Sequence, residues 1–424
     1  MALVMYCFQR KKDKGPRDFG AILMGLCVIG FVLCCVLFIL DPAMEAERKA
    51  SELAYARATA RVEPRLPEER HRDNNIKQLI KELFEMGVKS PTLLLEKLDN
   101  ENVFGTLNGV EGFICPSDKS ALLDYPRLTN QKSLIAFRNK EEGSFAFYQH
   151  LRKAGGTGFC DLANSNLPKR TVPSYYCMPD NRGSLATAPW NSMSYTLDVI
   201  KEKKYRVIAN EWDTFLAPFL NYSNAIFATT IRHPIDRWYS QYRFEHLEHR
   251  DGSKQDAPRQ SFLDWYKGCV RYTMGRNYYV KTFLGEVDAV VDDMKKGDFY
   301  WTYHKFNRRE KLREQQGLPV VSWEEFDRAL NHFRQFHLIL VMEWLGSSGP
   351  YIEKLLDWKV PPKQVLPHEV QAQRQDKRSK ASKDMISVEE YRYLREQNVF
   401  DILFFEIAKR IYLERTVCSA LDSP

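Results

Sequence analysis

Several features that would classify this chain at once are missing from it. Its 424 residues show no internal repeat, so solenoid and propeller architectures have no support. The charge balance is thin, with 62 Lys and Arg against 55 Asp and Glu, and the excess is spread out. Such a surface accepts anionic ligands but gives no argument for nucleic acid. No His, Cys and Asp residues cluster with metal-ligand spacing, and the nine cysteines do not fall as in a zinc module. A single glycosylation sequon occurs, Asn221-Tyr222-Ser223. By length the chain could hold two or three domains.

What the chain does have is a long apolar run. Ala21 to Leu40 is twenty residues without a charge, enough to cross a bilayer. A secretory signal peptide would be shorter and end in small residues. Arg10, Lys11, Lys12, Lys14 and Arg17 precede it, and Asp41, Glu45 and Glu47 come after it. The positive-inside rule then puts residues 1–20 in the cytosol and everything after Asp41 in the lumen. This is the pattern of a single-span type II membrane protein. Cys7, Cys27, Cys34 and Cys35 lie in or beside the span, as apolar fillers or palmitoylation sites. Cys115, Cys160, Cys177, Cys269 and Cys418 fall on the lumenal side, where disulfides persist. Five is odd, so at least one is left over within the chain. Cys160 with Cys177 is one candidate pair, and Cys115 is an equally available partner for either.

Residues 41–75, rich in Ala, Arg and Glu, read as a partly helical stem. Ile76 to Leu98 has apolar residues at helical spacing, and Asn100 to Gly143 is turn-rich. Residues 76–143 are expected to pack on the domain from Ser144 onward as an N-terminal accessory region. From Ser144 strands and helices alternate, the signature of an α/β fold with a parallel sheet. The expected strands are the run from Phe145, then Tyr205 to Ala209, Ala225 to Ile231 and His337 to Met342. Helices are expected at Ser194 to Lys201, after Pro234, at Ser261 to Tyr266, Asn277 to Leu284, Pro350 to Trp358, Val388 to Gln397 and Phe400 to Leu413. Asp298 to Gly317, with Lys305, Arg308, Arg309, Lys311 and Arg313, reads as a solvated charged segment, with a surface for an anionic substrate as the sharper alternative.

The chemistry concentrates after the first strand. His150, Arg152, Lys153, Ala154, Gly155, Gly156, Thr157, Gly158 and Phe159 form a Gly-rich turn running into a helix. Unpaired N–H groups and the helix dipole favour an anion there, with Lys153 and Thr157 adding a charge and a hydroxyl. The Lys precedes the glycines, so this is not a Walker A loop. An ordinary strand-to-helix turn would also use Gly here for its left-handed conformations. A second block, Arg232-His233-Pro234, ends the strand Ala225 to Ile231, and Ser240 lies on the next helix.

These two blocks resemble the Golgi membrane-bound carbohydrate sulfotransferases of the heparan sulfate 2-O/6-O type. The likeness covers roughly 144–413. His150 to Phe159 is similar to the family's 5′-phosphosulfate loop, Lys-Thr-Gly-Gly-Thr, with Ala154 in place of its first Thr. Thr229 to Tyr242 is similar to its 3′-phosphate block, with Arg232 and Ser240 on the binding positions. Asn277 to Leu284, Glu343, Asn398 and Asp401 are weaker echoes.

The resemblance implies a P-loop-like three-layer α/β/α sulfotransferase domain over residues 144–424, with a central parallel sheet, behind the membrane anchor and stem. It also implies a Golgi location, 3′-phosphoadenosine 5′-phosphosulfate as donor and no metal. The acceptor would be a glycan hydroxyl, on a sulfated or acidic polysaccharide or a glycoprotein. Arg232 suits the 3′-phosphate, because a guanidinium forks onto phosphate oxygens. Lys153 would neutralise charge growing on the leaving phosphate oxygen.

Glu211, just past a strand, is the first candidate for the base that deprotonates the acceptor. The family's 6-O members carry a His two residues earlier, where this chain has Ala209. Asp213 competes with Glu211, and His150 and His233 are reserves. A lumenal glycosyltransferase is the competing class. It commonly needs Asp-x-Asp for a metal and nucleotide sugar, and the chain offers only the acid-x-acid sequence Glu211-Trp212-Asp213. A non-catalytic, anion-binding relative of the fold is a third.

Overall fold

Four short apolar runs become one parallel sheet because each is buried at every residue, a condition that suits strands covered on both faces. The computed structural model describes residues 67–124, 127–179, 185, 190, 192–211, 213–248, 260–269, 275–285, 301–360 and 386–418. The apolar run Ala21 to Leu40, its cytosolic flank, the stem as far as residue 66 and Trp212 lie outside the described residues. Among the described residues no helix is long and apolar enough to cross a membrane.

The described chain opens with helices α1 (Pro67–Lys89) and α2 (Pro91–Asn100). The region expected as one helical stretch is broken at Ser90, whose hydroxyl accepts the N–H of Leu93, while Pro91 starts the next helix. Helix α1 also reaches back into the stretch read as stem. Within the unplaced turn-rich segment, Asn130 caps a short helix α3 (Gln131–Arg138) by accepting from Lys132 and Ser133 N–H. Strand β1 (Phe145–Gln149) then feeds helix α4 (Gly156–Asn166).

Next come α5 (Met193–Lys203), β2 (Val207–Asn210), β3 (Ala225–Ile231) and α6 (Pro234–Tyr242). A π-helical turn, Arg243–Glu248, prolongs α6. Helices α7 (Phe262–Cys269), α8 (Tyr278–Leu284), α9 (Trp301–Gln315) and α10 (Trp323–Arg334) lead to β4 (Leu338–Val341). The described chain closes with α11 (Gly349–Leu356), α12 (Val388–Gln397) and α13 (Val399–Val417).

The strand order is β2-β1-β3-β4, all parallel. The chain leaves β1 for β2 on one side, then crosses to β3 on the other. The direction of winding therefore reverses between β1 and β3, and the crevice beyond their carboxyl ends is where open α/β sheets take ligands.

Helix α13 is buried nearly all round, as a central core helix is. Its Phe404 stacks on Phe283 of α8 and its Phe400 on Phe84 of α1. Residues 76–143 thus share one hydrophobic core with the sheet, through Ile80, Leu83, Phe84 and Leu94. A second, aromatic cluster of Trp238, Tyr242, Phe262, Trp265 and Tyr266 anchors α6 from behind.

The charged segment before residue 317 is helix α9, and much of its charge is met internally. Arg309 and Arg313 pair with Glu325, and Glu310 is buried against Lys281 Nζ at 2.9 Å. Two disulfides occur among the described residues, Cys160–Cys177 and Cys115–Cys418.

Candidate functional site

The crevice between β1 and β3 is built first by backbone shape. Lys153 has φ +65° and Gly155 φ +91°, so the chain turns sharply off β1 and enters α4 with Gly155 at its N-cap. No side chain caps that helix end. Gly156 is needed for space: a Cβ there would lie 1.9 Å from His150 Cδ2. The imidazole of His150 therefore packs directly on the first turn of α4.

The two loops expected to hold anions meet. Arg232, half-buried just past β3, donates from Nη1 to the carbonyl of Lys153 at 3.2 Å. Two adjacent tyrosines of α8 gather both loops from below. The Tyr278 hydroxyl accepts the Arg152 N–H at 3.2 Å, and the Tyr279 hydroxyl donates to the Arg232 carbonyl. Asp401 of α13 in turn accepts the N–H groups of Tyr279 and Val280, holding α8 by its N-terminus. Burial raises the Asp401 carboxyl to about 7 against those hydrogen bonds.

Lys153 Nζ lies 4.0 Å from the ring centroid of Phe244, in the π-helical turn after α6. Ser240 precedes Phe244 by about one turn and lies with Asp236 on the less buried side of α6. The helix that carries Ser240 is thus the one that reaches the Lys153 side chain.

Glu211 comes just after β2 and completes the row. Its carboxylate lies 3.9 Å from His150 Nδ1 and 3.8 Å from Arg152 Nη1. The turn that presents it is fixed by Asn210, whose amide donates to the carbonyls of Asp213 and Thr214 and to Gln149 Oε1. Asp213 is fully buried, so of the two acids only Glu211 is open to the crevice. His150 is 5% exposed, and its Nδ1 has no hydrogen-bond partner. Burial, reinforced by Arg152 and Lys153 and opposed by Glu211, pushes the imidazole down, so it is neutral near pH 7. His233, the other reserve base, gives its backbone N–H to Glu343 Oε1 at 2.7 Å and starts α6.

The nominated cradle residues do not all face the crevice. Thr157 is exposed and Lys153, Gly155 and Gly158 are half-buried. Ala154 is fully buried, and the Phe159 ring lies in the core, stacked on Tyr148 at 4.1 Å. Arg152 is 7% exposed and turned toward Glu211.

One neighbour escaped sequence reasoning. Phe244 carries no motif and is brought in only by the π-helical turn. Glu343 stands at the carboxyl end of β4. It is exposed, and its carboxylate accepts the His233 N–H at 2.7 Å. Glu343 was among the weaker echoes in the sequence, and it lies two residues past the end of β4.

Among the described residues no group of three His, Cys, Asp or Glu side chains could hold a metal ion. No family model matches the chain, and no curated protein matches it.

Proposed function

We propose that the chain is a lumenal sulfotransferase of the Golgi membrane. It would move a sulfuryl group from 3′-phosphoadenosine 5′-phosphosulfate to a hydroxyl of a glycan, with the domain from residue 144 adopting the sulfotransferase fold. The observation that carries this reading is the meeting of the two anion loops. Lys153 and Arg232 arrive from neighbouring strand ends, joined by a hydrogen bond at the switch point of the sheet. A donor with phosphates on both its 3′ and 5′ positions calls for two such cradles side by side. An uncapped helix end at Gly155 and a cationic Lys153 suit the 5′-phosphosulfate, and the Arg232 guanidinium suits the 3′-phosphate.

In the reaction the acceptor oxygen forms a bond to sulfur as the bond from sulfur to the phosphate oxygen breaks. The acceptor proton passes to Glu211, and the electron pair leaves with the nucleotide phosphate, where Lys153 offsets the new charge. His150 Nδ1 lies 3.9 Å from that carboxylate. The disulfides and the exposed Asn221 fit an oxidising, glycosylating compartment.

The test is transfer of labelled sulfate from the donor to a panel of glycans and peptides by the full chain. Transfer to a glycan by the wild type, lost in Lys153→Ala while the melting temperature holds within a few degrees, is expected. A cation over an aromatic ring at an open site contributes only about 0.5–1 kcal/mol, so the fold should survive that change. Binding of the nucleotide without transfer to any acceptor would leave a non-catalytic relative. A manganese-dependent reaction with a nucleotide sugar would replace the proposal altogether.

A further inference from the structure

Two aromatic rings stand open to solvent on the loop that runs along the edge of β2, the strand that Glu211 follows, on the side where the reaction needs a place for the acceptor. After α4 the chain runs along the outer edge of β2. Arg206 N–H donates to the Thr171 carbonyl at 2.7 Å, and Ala209 N–H to the Cys177 carbonyl at 2.8 Å. Cys177, the residue after Tyr175 and Tyr176, is therefore level with Ala209, two residues before Glu211. Tyr175 and Tyr176 are 42% and 45% exposed, while Cys177 and Met178 next to them are buried. Their rings meet edge to face, 5.0 Å between centroids.

This exposure is imposed by the backbone. Tyr176 and Cys177 both have positive φ, +48° and +61°, a conformation residues with side chains disfavour. The turn is held by Met178 N–H on the Tyr175 carbonyl and by the Cys160–Cys177 disulfide to the cradle helix α4. Strain of this kind persists where surrounding structure over-determines it, and it concentrates at ligand clamps.

We infer that Tyr175 and Tyr176 form a stacking platform for a sugar ring of an acidic polysaccharide acceptor, setting its hydroxyl against Glu211. The inference rests on the proposed function, since it takes the ligand to be the acceptor of that reaction. Aromatic side chains offer an apolar face with a polar tip, which matches the C–H face and hydroxyl rim of a pyranose. The Tyr175 hydroxyl is raised by partial burial and by the Glu211 carboxylate, with Arg152 opposing, which sets all three in one electrostatic neighbourhood. Further back on the same loop Lys169 and Arg170 are exposed. They sit toward the start of β2, about 10 Å from its carboxyl end at the usual strand rise. A neighbouring anionic unit of the same polysaccharide reaches them when the chain lies along this edge.

The experiment compares wild type with Tyr175→Ala, Tyr176→Ala and the two Phe variants, all as full chains. Calorimetry measures binding of a heparin-derived and a chondroitin sulfate hexasaccharide, and separately of adenosine 3′,5′-bisphosphate. The expected result is that wild type binds at least one hexasaccharide and each Ala variant binds it about tenfold more weakly. The Phe variants should stay within a few-fold, because the ring and not the hydroxyl is used, and nucleotide affinity should not change. Unaltered hexasaccharide binding in both Ala variants overturns the platform, as does its absence in wild type. Equal losses of nucleotide and hexasaccharide binding overturn it too, since the loop would then serve only the cradle. Ring-dependent hexasaccharide binding without sulfate transfer leaves the platform standing and removes the proposed reaction. Transfer with Ala variants that behave as wild type does the reverse.

Discussion

Arg415 grips Asp124 with two parallel hydrogen bonds, Nε to Oδ2 at 2.8 Å and Nη2 to Oδ1 at 2.9 Å, and both residues are buried. The same guanidinium donates to the carbonyls of Arg334 and Phe336, so it ties α13 to the accessory segment and to the entry of β4. Burial by itself would raise the Asp124 carboxyl. The Arg415 charge and hydrogen bonds win and hold it below its usual value.

Removing one partner leaves the other buried without compensation. Asp124→Asn is expected to cost about 3–5 kcal/mol, read as a lower urea midpoint. Asp124 contributes its stability above the unfolded carboxyl value of 3.8 and loses it as pH falls through the lower folded value. The variant should therefore lose stability on acidification less steeply than wild type in that range.

Arg232→Ala should weaken binding of adenosine 3′,5′-bisphosphate by roughly 2–5 kcal/mol, as truncating a desolvated, hydrogen-bonded charge does. Titration calorimetry decides it. Equal affinity in the two proteins would remove Arg232 from the proposed donor site.

Glu211→Gln keeps shape and removes basicity. With Glu211 as the proposed base, kcat should fall ~10²–10⁴-fold while nucleotide binding persists. Turnover within a few-fold of wild type would pass the base to His150, whose unpartnered Nδ1 faces the same carboxylate.

His337 links two elements through one tautomer. Its Nδ1 accepts the Phe227 N–H at 3.1 Å, and its Nε2 donates to the Asn130 carbonyl at 2.9 Å. Burial, opposed by that carbonyl, pushes the imidazole down to about 4 from 6.5. A folded value below the unfolded one means the contribution is complete above 6.5 and lost as pH falls toward 4, by up to about 3 kcal/mol. Urea unfolding at pH 7.5 and 5.0 should show a smaller drop in His337→Gln than in wild type. Equal drops would mean that His337 is not the group.

Which parts of the fold could be read in advance depends on how local their causes are. The run Ala225 to Ile231 is bounded by Asn224 and Pro234 and lies where it was expected, residue for residue. Strand β2 ends at Asn210, one residue past the expected Ala209, because Asn210 pairs in register with Gln149. Helix α3 hid in a turn-rich segment, since Asn130 was the one local mark of its start. The Glu211 and Asp213 carboxylates look equivalent along the chain. Hydrogen bonds from Asn210 and Gln149 to the Asp213 carbonyl, and from Asn210 to that of Thr214, draw the turn inward and separate them. Phe244 and Tyr175 come to the crevice through tertiary packing alone, and no periodicity announces such neighbours.

The Cys115–Cys418 bond spans 303 residues of sequence. At a synthesis rate of about 5–20 residues per second, Cys115 emerges about 15–60 s before its partner exists. During that interval Cys160 and Cys177, only 17 residues apart, are both at hand. Closure of the short bridge in that interval would take both of those thiols out of competition for Cys115, leaving Cys269 as the other thiol to emerge before Cys418.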